Sequence, residues 1–324
     1  MFISEMDLNY TKAFIANKYN YCMPVINDSC ECSFANIKQL RHPIIENIPT
    51  THTYIPNDVS IGGNQQGILL YGTNAVGKSS LIKAIGISVI MAQAGFFVPA
   101  SDFEFKPYHS IFTRILGNDN LFKGLSTFAV EMTELRSILK NANENSLILG
   151  DELCSGTEST SALSIFTAGI KYLSNKKSLF IFATHFHEII NYSEIKELDT
   201  LKLLHMSVVY DRENDRLIYD RKLKQGPGDN MYGLEVCKSL NLPQDFLEMA
   251  HNIRNKYNNR SNTFNQNETN QQKTKEAKET NNEDEYILEE SEEDSSSSTA
   301  GDSESEDSYI TFEDEQFTKL EDMG

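Results

Sequence analysis

The sequence of 324 residues has no tryptophan, only eight prolines and five cysteines, and none of its apolar runs is long enough to span a membrane. The best candidate for a span, LIKAIGISVIMAQAGFFVPA from Leu81 to Ala100, contains Lys83 and reads as a buried helix. The cysteines (Cys22, Cys30, Cys32, Cys154, Cys237) are odd in number, and the opening MFISEMDLNY lacks a basic start followed by an apolar stretch. Together these features predict an intracellular chain with reduced thiols, placed in nucleus, cytoplasm or a viral factory and not secreted. Cys30 and Cys32 have no second Cys/His pair at zinc spacing, so no zinc site is expected.

A basic surplus is also missing. The formal net charge is -18, and Asn259–Gly324 alone holds 20 Asp/Glu against 5 Lys/Arg. The preceding 258 residues are left at -3, which is near neutral. Such a body offers no broad basic surface for a phosphate backbone, so contacts with DNA are expected on another domain or a partner chain. After Tyr257 the composition turns to Asn, Gln, Lys and Glu, and then to EESEEDSSSSTAGDSESEDS. A segment this poor in apolar residues cannot offset its chain entropy, so residues 258–324 are expected to form a disordered acidic tail. Residues 1–40 are weakly patterned and read as an N-terminal lead-in, the remnant of a preceding region. Residues 41–257 form the folded body.

Within that body apolar runs alternate with helical patterns. Ile68–Tyr71, the run ending at Asp151 and the run ending at Ala183 read as buried strands, with helices after the first two. This alternation implies a largely parallel central sheet flanked by helices, with ligands at the strands' carboxyl ends. Arg41–Tyr71 is rich in β-type residues broken by Pro, Asn and Gly. LKLLHMSVVYDRENDRLIYDRKLKQG alternates about DREND as an antiparallel hairpin. Ser159 or Thr160 is expected to cap the helix after the acids. YGLEVCKSL, NLP and QDFLEMAHNIRNKY read as helix, break and helix.

The chemistry begins at GTNAVGKSS, Gly72 to Ser80, which fits the P-loop pattern. Gly72 and Gly77 permit a sharp turn and close backbone approach. The amides of Thr73, Asn74, Ala75, Val76 and Ser80 then face an anion together with the following helix N-terminus. Lys78 reaches the outer phosphates and the Ser79 hydroxyl takes one position on Mg²⁺. Asp151 and Glu152 end an apolar strand as a Walker B pair: Asp151 to hold the metal, Glu152 to polarise the attacking water. His185, directly after Ala183-Thr184, is placed to bond the γ-phosphate, with His187 a decoy two residues on. Ser126 and Thr127 open a predicted helix whose free N–H groups suit an anion, and they complete a composite site if they face a second subunit's γ-phosphate.

GILLYGTNAVGKSSLIKAIGISVIMAQAGFFVPA, IFTRILGNDNLFKGLSTFAVEMTE, SLILGDELCSGTES, FIFATHFHE and YGLEVCKSLNLP stand in an order and spacing that resemble the ATPase domain of the MutS family of DNA mismatch repair proteins, over about Arg41 to Lys256. The resemblance implies an α/β P-loop NTPase of ABC type, with an antiparallel β portion and a C-terminal helix-turn-helix that dimerises. It implies ATP and Mg²⁺ as cofactors, with catalysis by Glu152, Lys78 and His185. Mg²⁺ falls to Ser79 and Asp151, and nucleotide to Gly72 through Ser80. Tyr54 matches the family's aromatic adenine platform, and Ser126 reaches the nucleotide in trans. The implied function is Mg-dependent ATP hydrolysis that switches a DNA-bound clamp in mismatch repair, in a homodimer or heterodimer, with mismatched DNA held through other domains or a partner. The alternatives are another ABC-type DNA-maintenance ATPase, or a scaffold that binds nucleotide without turnover. Three features depart from the family spelling. Thr73 replaces a proline, Val76 replaces a glycine, and Cys154-Ser155 removes a glycine and a positive charge from the expected subunit interface. The last resembles the organellar and giant-virus branch. The family's mismatch-reading wedge domain has no counterpart here, so direct mismatch reading by these residues alone is not expected.

Overall fold

The computed structural model describes residues 2–49, 53–115, 127–154, 156–211, 216–228 and 233–256. The chain divides into two units, Met1–Asn255 and Lys256–Gly324, and Lys256 alone of the second is described. The acidic tail and its terminal YITFEDEQFTKLEDM therefore lie outside the described residues, as do Ser126, Ser155 and the hairpin tip at 212–215.

In chain order the elements are α1 (Phe2–Tyr19), β1 (Val25–Ile26), β2 (Phe34–Leu40), β3 (Asn57–Ile61), β4 (Gly67–Tyr71) and α2 (Lys78–Gln93). There follow β5 (Asp102–Lys106), β6 (Ser110–Arg114), α3 (Thr127–Asn141), β7 (Ser146–Asp151), α4 (Ser159–Asn175) and β8 (Leu179–Ala183). The last are α5 (Ser193–Lys196), β9 (Leu201–Met206), β10 (Val209–Asp211), β11 (Arg216–Ile218), β12 (Leu223–Gln225) and α6 (Gly233–Ser239). Beyond a break at Leu242-Pro243, residues 244–255 are helical.

The central sheet has six strands in the order β12-β9-β4-β8-β7-β6. Neighbours from β9 to β6 run parallel, and β12 alone is antiparallel. Every residue of β4, β7 and β8 is buried, as expected of parallel strands covered on both faces. Successive side chains alternate between the faces. Ile68 and Leu70 meet Leu81, Ile82, Ile85 and Val89 of α2, whereas Leu69 and Tyr71 join Leu135 of α3 and Phe166 and Ile170 of α4.

A second sheet, ordered β1-β5-β2-β3, is mostly antiparallel. Strand β2 lies within the residues read from sequence as lead-in, yet it pairs with β3 and β5 and buries Phe34, Ala35, Ile37 and Leu40. A register shift between Ile37 and Leu40 interrupts its alternation and hides it from a period-two reading. The pair β10–β11 is an antiparallel hairpin, nested within the β9–β12 pair. The N-cap of α4 is Glu158 and not Ser159 or Thr160, and its carboxylate is bonded by the Thr157 and Ser161 hydroxyls.

Candidate functional site

Gly72 leaves β4 at φ +146°, and a Cβ there would stand 2.9 Å from Val76 Cγ1. Gly77, at φ +113°, caps α2, and Ala75 between them also has a positive φ of +63°. These dihedrals fold residues 72–77 into a closed loop whose amides lead into the N-terminus of α2, a polarity that suits an anion. Val76 is fully buried and belongs to the core under the loop, which accounts for an apolar residue in a polar motif. Asn74 and Ala75 are exposed, whereas Ser79 and Ser80 are half-buried in the first turn of α2.

Lys78 is 6% exposed. Its Nζ donates to Gly72 O at 2.7 Å and Thr73 O at 3.1 Å, and lies 3.2 Å from His185 Nε2. Burial lowers its pKa, against the opposing pull of Glu152 and Asp151. The Thr73 hydroxyl is buried and has no hydrogen-bond partner among the described residues.

The acids and the histidine meet the loop because β8 lies between β4 and β7. Ala183 is level with Leu70 on one side and Asp151 on the other. The Thr184 N–H donates to Leu70 O and the Glu152 N–H to Ala183 O, at 3.1 and 3.0 Å. Thr184-His185 therefore leaves the sheet between the loop and the acids. Asp151 is 4% exposed and its Oδ1 has no hydrogen-bond partner among the described residues. Glu152 takes a left-handed φ of +53°, a strained conformation for a residue with a side chain. Its Oε1 lies 2.9 Å from His185 Nε2.

His185 Nε2 thus faces an ammonium and a carboxylate at once. A single nitrogen either donates to Glu152 or accepts from Lys78. The arrangement can neutralise an anion, move a proton and orient a water. His187 points elsewhere: its ring lies 4.8 Å from the Tyr71 ring, and burial, then His185, lowers its pKa.

Tyr54 lies just before β3, half-buried. Its phenol pKa is pushed up to about 12 by burial and by Glu46, while Arg221 lowers it. No hydrogen bond joins it to residues 72–77 among the described residues. Two clefts border the site. One of about 330 Å³ is lined by Gly72, Thr73, His205, Ser207 and Lys224, and one of about 200 Å³ by Glu152, Thr157, Ser159, Thr184 and His185.

Sequence spacing did not single out Arg114 or Glu131. Both are buried, and Glu131 Oε1 accepts the Cys154 N–H at 2.7 Å. Cys154, read from sequence as part of the subunit-interface spelling, is fully buried and packs in the core with α4 and β8. An Arg and a Glu on separate elements give no periodic signal, and only the fold brings them together.

Comparison with known proteins matches residues 68–258 to the family model described as MutS domain V. A mutS homologue of Acanthamoeba polyphaga mimivirus, named for DNA mismatch repair, is 37% identical over 294 residues, covering 80% of this chain and 26% of its own length. The mitochondrial DNA mismatch repair protein mutS homologue of Sarcophyton glaucum is 40% identical over 251 residues, 76% of this chain and 25% of that protein. The DNA mismatch repair protein MutS of Chlorobaculum tepidum is 37% identical over 253 residues, 78% of this chain and 28% of that protein. The chain thus spans about a quarter of the length of these curated relatives. Among the described residues no helix is long and apolar enough to cross a membrane.

Proposed function

The chain belongs to the MutS family through domain V, and from that premise we propose that it binds ATP with Mg²⁺ and hydrolyses it, switching a DNA-bound clamp in mismatch repair. The observation that carries this reading is the convergence of Lys78, His185 and Glu152, from three separate elements, on one point at the carboxyl edge of a parallel sheet. A strand interposed between the phosphate-loop strand and the acid strand suits an ABC-type P-loop ATPase.

The residues present fit the nucleotide and its metal. Asp151 Oδ1 is a buried carboxylate oxygen without a partner among the described residues, which is costly unless a cation or a bound water meets it. Ser79 and Asp151 would hold Mg²⁺, which supplies charge neutralisation across the phosphate oxygens when bound. The amides from Thr73 to Ser80 cradle the phosphates, and Lys78 exchanges its bonds to the Gly72 and Thr73 carbonyls for the outer phosphate oxygens. Glu152 orients the attacking water and accepts its proton. His185 exchanges its contact with Glu152 for a bond to the γ-phosphate and registers its departure. Tyr54 stacks on adenine, for which about 1–3 kcal/mol is usual when a base stacks on an aromatic ring.

Ser126 of one subunit completes the site of the next, so the active species is a homodimer or heterodimer built through this domain, with α6 and residues 244–255 contributing. Mismatched DNA is held by other domains or a partner chain. The loop spelling around Cys154 supports a reading within the organellar and giant-virus branch.

The test is ATP turnover of the purified chain, with and without magnesium and duplex DNA, beside Lys78→Ala and Glu152→Ala. Magnesium-dependent hydrolysis is expected in the parent, falling by about a hundredfold or more in Lys78→Ala, as when a charge-stabilising donor is removed. Glu152→Ala is expected to bind ATP and not to turn it over. Equal rates in all three would refute the assignment.

A further inference from the structure

Glu131 lies one turn into α3, with 2% of its surface exposed. Its Oε1 accepts the backbone N–H of Cys154 at 2.7 Å, a charge-assisted bond within the core. Arg114 Nε stands 3.9 Å from the same oxygen and 3.0 Å from Glu134 Oε2, so the buried carboxylate has a countercharge close by.

The loop that Glu131 grips follows the acid pair directly. Two of its residues, Glu152 at φ +53° and Cys154 at φ +66°, are left-handed, and neither is glycine. Such residues persist only where the surroundings over-determine them. The tethers are visible on both sides. The Glu152 N–H is tied to Ala183 O of β8, and the Cys154 N–H to Glu131 of α3. Past Cys154, Gly156 lies on the first turn of α3, where an added Cβ would be 3.4 Å from Phe128 Cβ and 3.5 Å from its backbone nitrogen. Burial, then the negative charge of Glu131, pushes the Cys154 thiol up to about pKa 12, consistent with a carboxylate facing this turn.

We propose that Glu131 is a positioning residue: its carboxylate clamps the Cys154 amide, fixes the left-handed turn that aims Glu152, and ties the N-terminal turn of α3 to the hydrolytic acid of the same chain. This rests on the ATPase reading above. It also gives that reading a route for communication. Ser126, assigned to the partner's nucleotide, immediately precedes α3, so a shift of the start of α3 reaches the chain's own Glu152 through one hydrogen bond.

Three substitutions separate clamping from bulk stability. Glu131→Ala removes the acceptor. Glu131→Gln keeps a carbonyl oxygen for the Cys154 N–H. Glu131→Met keeps the length without a strong acceptor and takes the place of alanine if that variant does not fold. Hydrogen exchange at the Cys154 amide is measured in each, together with kcat, KM and equilibrium ATP affinity.

The alanine variant is expected to lose protection at Cys154 and to lose about ten- to a hundredfold in kcat, as when a catalytic group is misplaced by about an ångström. Its ATP affinity stays near the parent's, and glutamine restores both protection and most of the rate. The proposal is overturned if alanine frees the amide and leaves kcat unchanged, if glutamine is as slow as alanine, or if kcat and ATP affinity fall together. A parent without turnover would overturn the ATPase reading and this proposal with it, whereas an active parent matched by Glu131→Ala overturns the proposal alone.

Discussion

His185 and His187 are two positions apart and end in different surroundings, the first 2.9 Å from Glu152 Oε1 and the second with its ring tilted against the Tyr71 ring. His185 stands two residues past the end of β8, whereas His187 opens a 3₁₀ turn over His187–Asn191, and this change from extended to helical backbone separates a site group from a packing group. The packing group has a measurable signature. Burial lowers the pKa of His187 below its ordinary 6.5, so between the folded and unfolded values the unfolded chain holds more protons. Stability then falls as pH drops through that window. The thermal midpoint is expected to decline from about pH 7 to about pH 5, the range in which histidine titrates. His187→Phe, which keeps a ring against Tyr71, should flatten that decline, leaving the part due to His42, whose pKa burial also lowers. Identical slopes in parent and variant would exclude His187 as the group responsible.

Elements β7 and β8 are fitted to each other by a glycine. A Cβ on Gly150 would stand 2.3 Å from Phe182 Cδ1, and that ring is itself 1% exposed and cannot swing away into solvent. Gly150→Ala is therefore expected to lower the free energy of unfolding by about 1–3 kcal/mol, the usual cost of overpacking. Denaturant unfolding measures this, and an unchanged midpoint would mean that the β7–β8 contact yields freely. At this scale most of the fold was legible. The apolar runs at Ile68–Tyr71, before Asp151 and before Ala183 each became a buried parallel strand, because burial on both faces demands an unbroken run. Strand β2 was not legible, since its bulge breaks the alternation. Nor was the cap of α4, because the bonds from Thr157 and Ser161 to Glu158 depend on the local turn and not on residue type alone.

For the molecule as a whole, the proposed composite site makes activity a property of the pair. If Ser126 is lent between subunits, turnover per chain should rise with protein concentration and reach a plateau, and a Ser126→Ala variant should lower the plateau without abolishing ATP binding. Turnover per chain that is constant across a wide dilution series would argue for a self-contained site. Salt enters only weakly in this reading. Residues 1–258 carry a net charge of -3, so under this proposal a DNA response is expected through other domains or a partner chain.

By itself the sequence determined the position of the glycine loop at residues 72–77, the acids at a strand end and the alternation of strand and helix. Each is written in near-neighbour spacing or in a local period. Tertiary structure alone decided that β8 runs between β4 and β7, that His185 Nε2 stands between Lys78 and Glu152, and that Glu131 grips the turn behind Glu152. Those contacts join residues 107 apart for Lys78 and His185 and 23 apart for Cys154 and Glu131. Strand order and register set such distances, and no local pattern in the chain encodes them.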